Sequence, residues 1–69
     1  MKVRLISLEH LNELVLRAGY SRRAFANSIG ISESTMTMLI NGNRNPSPKI
    51  AKKISDKLEI KFDEVFYVE

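Results

Sequence analysis

Between Ser21 and Gly42 two helix-length segments are joined by so little chain that their mutual geometry is nearly forced. Ser21 can cap a helix running from Arg22 to Ile29, and Gly30 stops it. After the single residue Ile31 a second cap, Ser32, opens a helix from Glu33 to Asn41 that Gly42 closes. Helices joined by so tight a turn must cross steeply, which requires small residues where they touch. Ala26 sits mid-helix where a small side chain is needed, Gly30 supplies the positive φ of the turn, and Ile31 plugs the angle between the helices. Phe25 and Ile29, one turn apart, face inward from the first helix, and Met36, Leu39 and Ile40 form the buried stripe of the second. Such a pair is either a structural αα-corner in a small bundle or a nucleic-acid-binding helix-turn-helix; spacing alone admits both.

Turn signals divide the rest of the chain into further short helices. Ser7 can cap a first helix with Leu8, Leu11, Leu14, Val15 and Ala18 at helical spacing and Gly19 at its end. Asn43-Arg44-Asn45-Pro46 reads as a loop. Ser47 followed by Pro48 then starts a fourth helix to about Leu58, with Ile50, Ala51, Ile54 and Leu58 on one face and Lys49, Lys52, Lys53 and Lys57 mostly off it. A last short element holds Phe62, Val65 and Phe66, with Asp63 and Glu64 near its positive end. Lys2-Val3-Arg4-Leu5 alternates polar and apolar, and Val65-Phe66-Tyr67-Val68 is rich in strand formers. These ends read as two short strands, paired within one chain or across a dimer. The expectation is one all-α domain of five helices over residues 1–69, with the two strands as an addition.

Charge is distributed unevenly. Residues 14–53 hold seven bases (Arg17, Arg22, Arg23, Arg44, Lys49, Lys52, Lys53) and one acid, Glu33, a net +6; the remainder holds four bases and seven acids, −3. This is the pattern of an electropositive face for a polyanion, or of a solvated lysine-rich helix. Arg22 and Arg23 occupy the first turn of their helix, where the macrodipole disfavours cations, and Lys49 repeats the arrangement in the fourth helix. An external anion held jointly by free N–H groups and these cations would account for that placement.

The stretch Ser21-Arg22-Arg23-Ala24-Phe25-Ala26-Asn27-Ser28-Ile29-Gly30-Ile31-Ser32-Glu33-Ser34-Thr35-Met36, continuing through Gly42-Asn43-Arg44-Asn45-Pro46-Ser47, resembles the Cro and lambda-repressor type (XRE-like) helix-turn-helix family. The resemblance runs from about Leu8 to Phe66, with the alanine, the two glycines, the Pro46 loop and the closing aromatic at the expected offsets. It implies a compact five-helix domain that binds double-stranded DNA as a transcriptional regulator, usually a homodimeric repressor on an operator of inverted half-sites. By position, Glu33, Ser34, Thr37 and Met38 match the outward face that reads base edges, and Arg22 matches a phosphate-gripping site. Ser32, Asn41, Asn43 and Arg44 match backbone-holding positions, and Ser21, Arg23 and Lys49 complete the expected phosphate set. Glu33 can accept from a cytosine amino group, and Met38 or the Thr37 methyl can touch a thymine methyl. Equally, Glu33 is a helix-start acid favoured by the dipole, and Met38 a partly exposed gap-filler. Phe62, Val65, Phe66 and Tyr67 are the candidates for a dimer contact, or else finish the monomer core.

Three positions depart from the family pattern. Val15 and Ile40 stand where the family often pairs a buried arginine with a glutamate, so both charges are gone together and an apolar contact replaces the ion pair. Glu33 stands where glutamine is common, and the recognition helix carries no cation, so affinity must lean on phosphate contacts. Glu59 replaces the glycine that usually ends the fourth helix; a left-handed Glu59 would cost roughly 1 kcal/mol.

Catalysis has no support in the residues. The chain has no cysteine, His10 is its one imidazole with no nucleophile at a telling spacing, and Asp56, Glu59, Asp63 and Glu64 read as a solvated acidic end. No cofactor, metal or small-molecule ligand is expected, and no apolar run suits a signal peptide or membrane span, which points to a cytoplasmic location, on the nucleoid when DNA is bound. The competing reading is a protein-interaction module of the same fold, an antirepressor or antitoxin-like partner, drawn from the charge-poor face of Glu33, Thr35 and Met38.

Overall fold

A computed structural model describes residues 2–69 of the chain. In order along the chain these form β1 (Val3–Leu5), α1 (Leu8–Arg17), α2 (Arg22–Ile29), α3 (Glu33–Ile40), α4 (Pro48–Leu58), α5 (Phe62–Val65) and β2 (Phe66–Val68).

Each of the first four helices begins and ends by the same local chemistry. Ser7, Ser21, Ser32 and Ser47 are extended, and their hydroxyls accept from the backbone N–H three residues on, at 3.2, 3.0, 3.1 and 3.2 Å. At the far ends Gly19, Gly30, Gly42 and Glu59 are left-handed. The residue after each donates back into the last turn: Tyr20 to Val15 O, Ile31 to Ala26 O, Asn43 to Met38 O and Ile60 to Ser55 O. The fourth helix thus closes as the others do, with Glu59 at φ 57° and ψ 42° doing what glycine does elsewhere.

The helices pack around one core in which every element takes part. Leu11 and Val15 of α1, Phe25, Ala26 and Ile29 of α2, Met36, Leu39 and Ile40 of α3, and Ala51 and Ile54 of α4 are buried together with Val3, Val65 and Phe66. Val15 and Ile40 are both core residues, so the apolar exchange at that pair is built into the packing. Ala26 is fully buried where α2 meets α3, which leaves the two helices free to approach closely. Leu8 departs from the apolar-stripe expectation, being 37% exposed, and Ala18 is exposed as well. Leu8 opens α1 and lies over the end of α3, its Cδ1 3.0 Å from where a side chain on Gly42 would begin.

The two terminal strands pair within the chain. β1 and β2 are antiparallel with Val3 opposite Val68, Arg4 opposite Tyr67 and Leu5 opposite Phe66. The ladder extends at both ends: Lys2 and Glu69 exchange backbone hydrogen bonds of 3.0 and 2.7 Å, and Ile6 donates to Val65 O at 2.8 Å. Val65 belongs to α5, so the strand starts one residue later than the sequence pattern suggests.

Candidate nucleic-acid interface

The 3.6-residue period fixes which side of α3 faces out. Opposite its buried stripe of Met36, Leu39 and Ile40 lie Ser34, Met38 and Asn41, with Glu33 and Thr37 along one flank. Ser34, Glu33 and Asn41 are exposed, Thr37 is half-buried, and Met38 leaves 36% of its surface in solvent. Of the four expected base-reading residues, Ser34 and Met38 thus lie on the outward side together with Asn41, while Glu33 and Thr37 border it. Thr35 sits apart on the other flank, half-buried, its hydroxyl 2.8 Å from Ser32 Oγ.

The expected phosphate-holding residues gather at the starts of helices and in the loop after α3. Arg22 and Arg23 are the first two residues of α2, which has no acid in its first turn. Lys49 has the same setting in α4, where Pro48 precedes it. Asn43 and Arg44 are exposed in the loop between α3 and α4. Among the described residues, three cations are ion-paired: Arg4 with Glu69, Arg17 with Glu13 and Lys52 with Asp56. Arg22, Arg23, Arg44 and Lys49 have no carboxylate partner. Of these, Arg22, Arg23 and Lys49 stand in first turns, where the helix dipole opposes a cation. Ser21 and Ser32 differ from these, since each hydroxyl oxygen already accepts from its own helix. Ser21 keeps its O–H to offer as a donor, while the Ser32 hydroxyl is also shared with Thr35 Oγ1.

Among the four dimer-contact candidates, the side chains of Val65 and Phe66 are 1% exposed and belong to the core, and Phe62 is half-buried with its ring 5.2 Å from that of Phe66. A contact through Val65 and Phe66 would require the core to open. Tyr67, at 45% exposure, stays on the surface; Ile6 and Val68 are also exposed, Val68 on the opposite face of the terminal ribbon, across from Val3.

Lys2 is a cation that the sequence reading did not single out. With Val3 and the Arg44–Pro48 loop it lines a groove of about 330 Å³. Nothing local marks it; only the pairing of the two chain ends carries Lys2 to that loop.

A family model described as helix-turn-helix matches residues 11–65, from within α1 to the end of α5. The chain belongs to the helix-turn-helix family. This is the XRE-like kind that the sequence resembles, a non-enzymatic fold whose second and third helices form the pair described above. Among curated proteins of Bacillus subtilis (strain 168), the chain is similar to the HTH-type transcriptional regulator YvzC, 27% identical over 62 residues, 90% of this chain and 80% of that one. It is 30% identical to the HTH-type transcriptional regulator YgzD over 59 residues, 86% of this chain and 89% of the relative. It is 40% identical to the HTH-type transcriptional regulator YazB over 47 residues, 68% of each chain. No solved structure matches the chain. Among the described residues no helix is long and apolar enough to cross a membrane.

Proposed function

We propose that this helix-turn-helix protein is a sequence-specific double-stranded DNA-binding transcriptional regulator that represses by occupying an operator. The observation that carries the reading is the division of labour between two surfaces. One is the outward face of α3, with Glu33, Ser34, Thr37 and Met38; the other is a set of cations without internal partners, Arg22, Arg23, Arg44 and Lys49. In the major groove the α3 face reads base edges: Ser34 and Thr37 hydrogen-bond, Glu33 accepts from an amino group and Met38 covers a thymine methyl. The cations, with the Ser21 and Ser32 hydroxyls and the Asn41 and Asn43 amides, hold phosphates on either side and set the register. The three relatives are named as HTH-type transcriptional regulators, which supports the regulator part of this reading.

The protein acts as a dimer on inverted half-sites, with two α3 helices entering successive major grooves ~34 Å apart. Tyr67, exposed on the ribbon face away from Val3 and Phe66, is the apolar group a second copy would cover. Selection from a random duplex pool at ~100–150 mM salt tests the proposal, because that salt suppresses nonspecific binding. Enrichment of an inverted repeat with half-site centres one helical turn apart is the expected result. Enrichment of nothing by folded protein overturns it. That outcome favours a protein-interaction module, for which the cation-free α3 face with its exposed Met38 is the supporting observation.

A further inference from the structure

The pairing of the chain ends sets a basic residue of the N-terminal strand against the loop that follows α3. The geometry points to a second phosphate-binding element: Lys2 and Arg44 together form a groove that takes a backbone phosphate of duplex DNA, extending the α2–α3 interface across the terminal ribbon. This rests on the DNA-binding reading above and adds to it a contact that the helix-turn-helix itself does not contain.

Four features of the groove support this. Its walls are Lys2, Val3 and the Arg44–Pro48 loop, so it holds two cations, the Asn45 amide and the Ser47 hydroxyl, and no carboxylate. No aromatic or acidic side chain lines it, and with two cations and two neutral polar side chains its chemistry is that of an anion site. Pro46 is buried and Pro48 opens α4, so the loop wall is preset by two fixed φ angles. The fourth feature is continuity: Arg44 belongs to the groove and to the candidate interface alike, and Lys49 follows the loop directly.

The ribbon explains why Lys2 is free. Lys2 is fixed by its two backbone hydrogen bonds with Glu69, whose side-chain carboxylate belongs to the residue directly across the ladder. That carboxylate is taken by Arg4, two residues on along β1. Arg4 therefore neutralises the acid that would otherwise compete for Lys2. In this arrangement Arg4 is a positioning residue and Lys2 the one that meets the phosphate.

The test compares duplex binding by the full chain and by Lys2→Gln across a salt series, with Lys57→Gln as a control. Lys57 lies in the last turn of α4, 6.0 Å from the Tyr20 ring centroid and away from the groove. Lys2→Gln is expected to weaken binding to every duplex alike and to make the slope of log K against log salt shallower by about 0.9, with melting temperature unchanged. Arg4→Gln is expected to weaken binding too, by releasing Glu69 toward Lys2, and Glu69→Gln added to it should restore affinity. An unchanged slope in Lys2→Gln, alongside a shallower one in Arg22→Ala, overturns the groove and leaves the DNA reading intact. Absence of salt-dependent duplex binding by the unaltered chain overturns both. Inorganic phosphate, titrated alone and followed by the Lys2 and Arg44 amide resonances, separates a free-anion site from a DNA contact. Millimolar shifts combined with an unchanged duplex slope in Lys2→Gln would also overturn the proposal.

Discussion

Thr35 donates its backbone N–H to Ser32 Oγ at 3.1 Å, and its own hydroxyl lies 2.8 Å from the same oxygen. The start of the outward-facing helix is thus held by an oxygen that also stands at the candidate phosphate surface. The two roles separate by substitution. Aspartate caps a helix about as well as serine but adds a negative charge, whereas alanine removes the cap at a cost of ~1 kcal/mol. Ser32→Asp is expected to keep the melting temperature within a few degrees while weakening duplex binding at least tenfold. Ser32→Ala should lower both. Thermal unfolding and a duplex titration on the two variants check this.

Arg22 and Arg23 should show opposite effects on stability and binding. Two cations at the start of α2 oppose its dipole by ~0.3–1 kcal/mol each at low salt, and α2 has no acid in its first turn to offset them. Replacing both by alanine is expected to leave stability unchanged or slightly raised at low salt, and to weaken binding to all duplexes alike. Unfolding curves and binding isotherms measured in the same low-salt buffer would show the split.

Met38 and Thr37 should govern preference and not general affinity. Met38→Ala and Thr37→Val change the groups presented on the α3 face without touching a cation. Selection from a random pool with each variant should shift the preferred bases by about 1–3 kcal/mol of discrimination per altered contact. The salt slope should stay that of the unaltered chain.

Glu59 is the one non-glycine residue at positive φ among the described residues. A side chain in that conformation costs on the order of 1 kcal/mol, so Glu59→Gly is expected to stabilise the chain by up to that amount. In a domain of this size that is a rise of about 4–8 °C in melting temperature. Gly30→Ala is the converse. Nothing lies within 4 Å of the added Cβ, so its whole cost is the φ of 78°, and a loss of similar size is expected in the same thermal measurement.

What the sequence disclosed was mostly local. Serine caps, a proline at the start of α4 and left-handed glycines act within a few residues, and those helix ends stand within a residue of where they were expected. Glu59 was legible only through the family resemblance, which puts it where a glycine usually ends the helix and so raised a left-handed conformation that the structure shows. The long-range relations were not. Alternating residues at the two ends indicated strands, but whether β1 meets β2 of its own chain or of another depends on how α5 returns the chain to its start. The same return sends Val65 and Phe66 into the core, where a local pattern of strand formers could not place them. Leu8 satisfied the helical period but lies at the first position of α1, beyond the reach of a full inward stripe. At the interface, residue types on one helix face followed from periodicity, while Lys2 had no local signal and depends on the closed ribbon.

The most direct measurement is the dissociation constant for a duplex as a function of salt. Arg22, Arg23, Arg44 and Lys49, with Lys2, would give about five phosphate contacts per monomer on the proposed reading. The expected slope of log K against log salt is therefore about −4 to −5 per monomer, and roughly twice that for a dimer on an inverted repeat. A slope near zero, with folded protein and measurable binding to a partner of any other kind, would contradict a DNA-binding role for this surface.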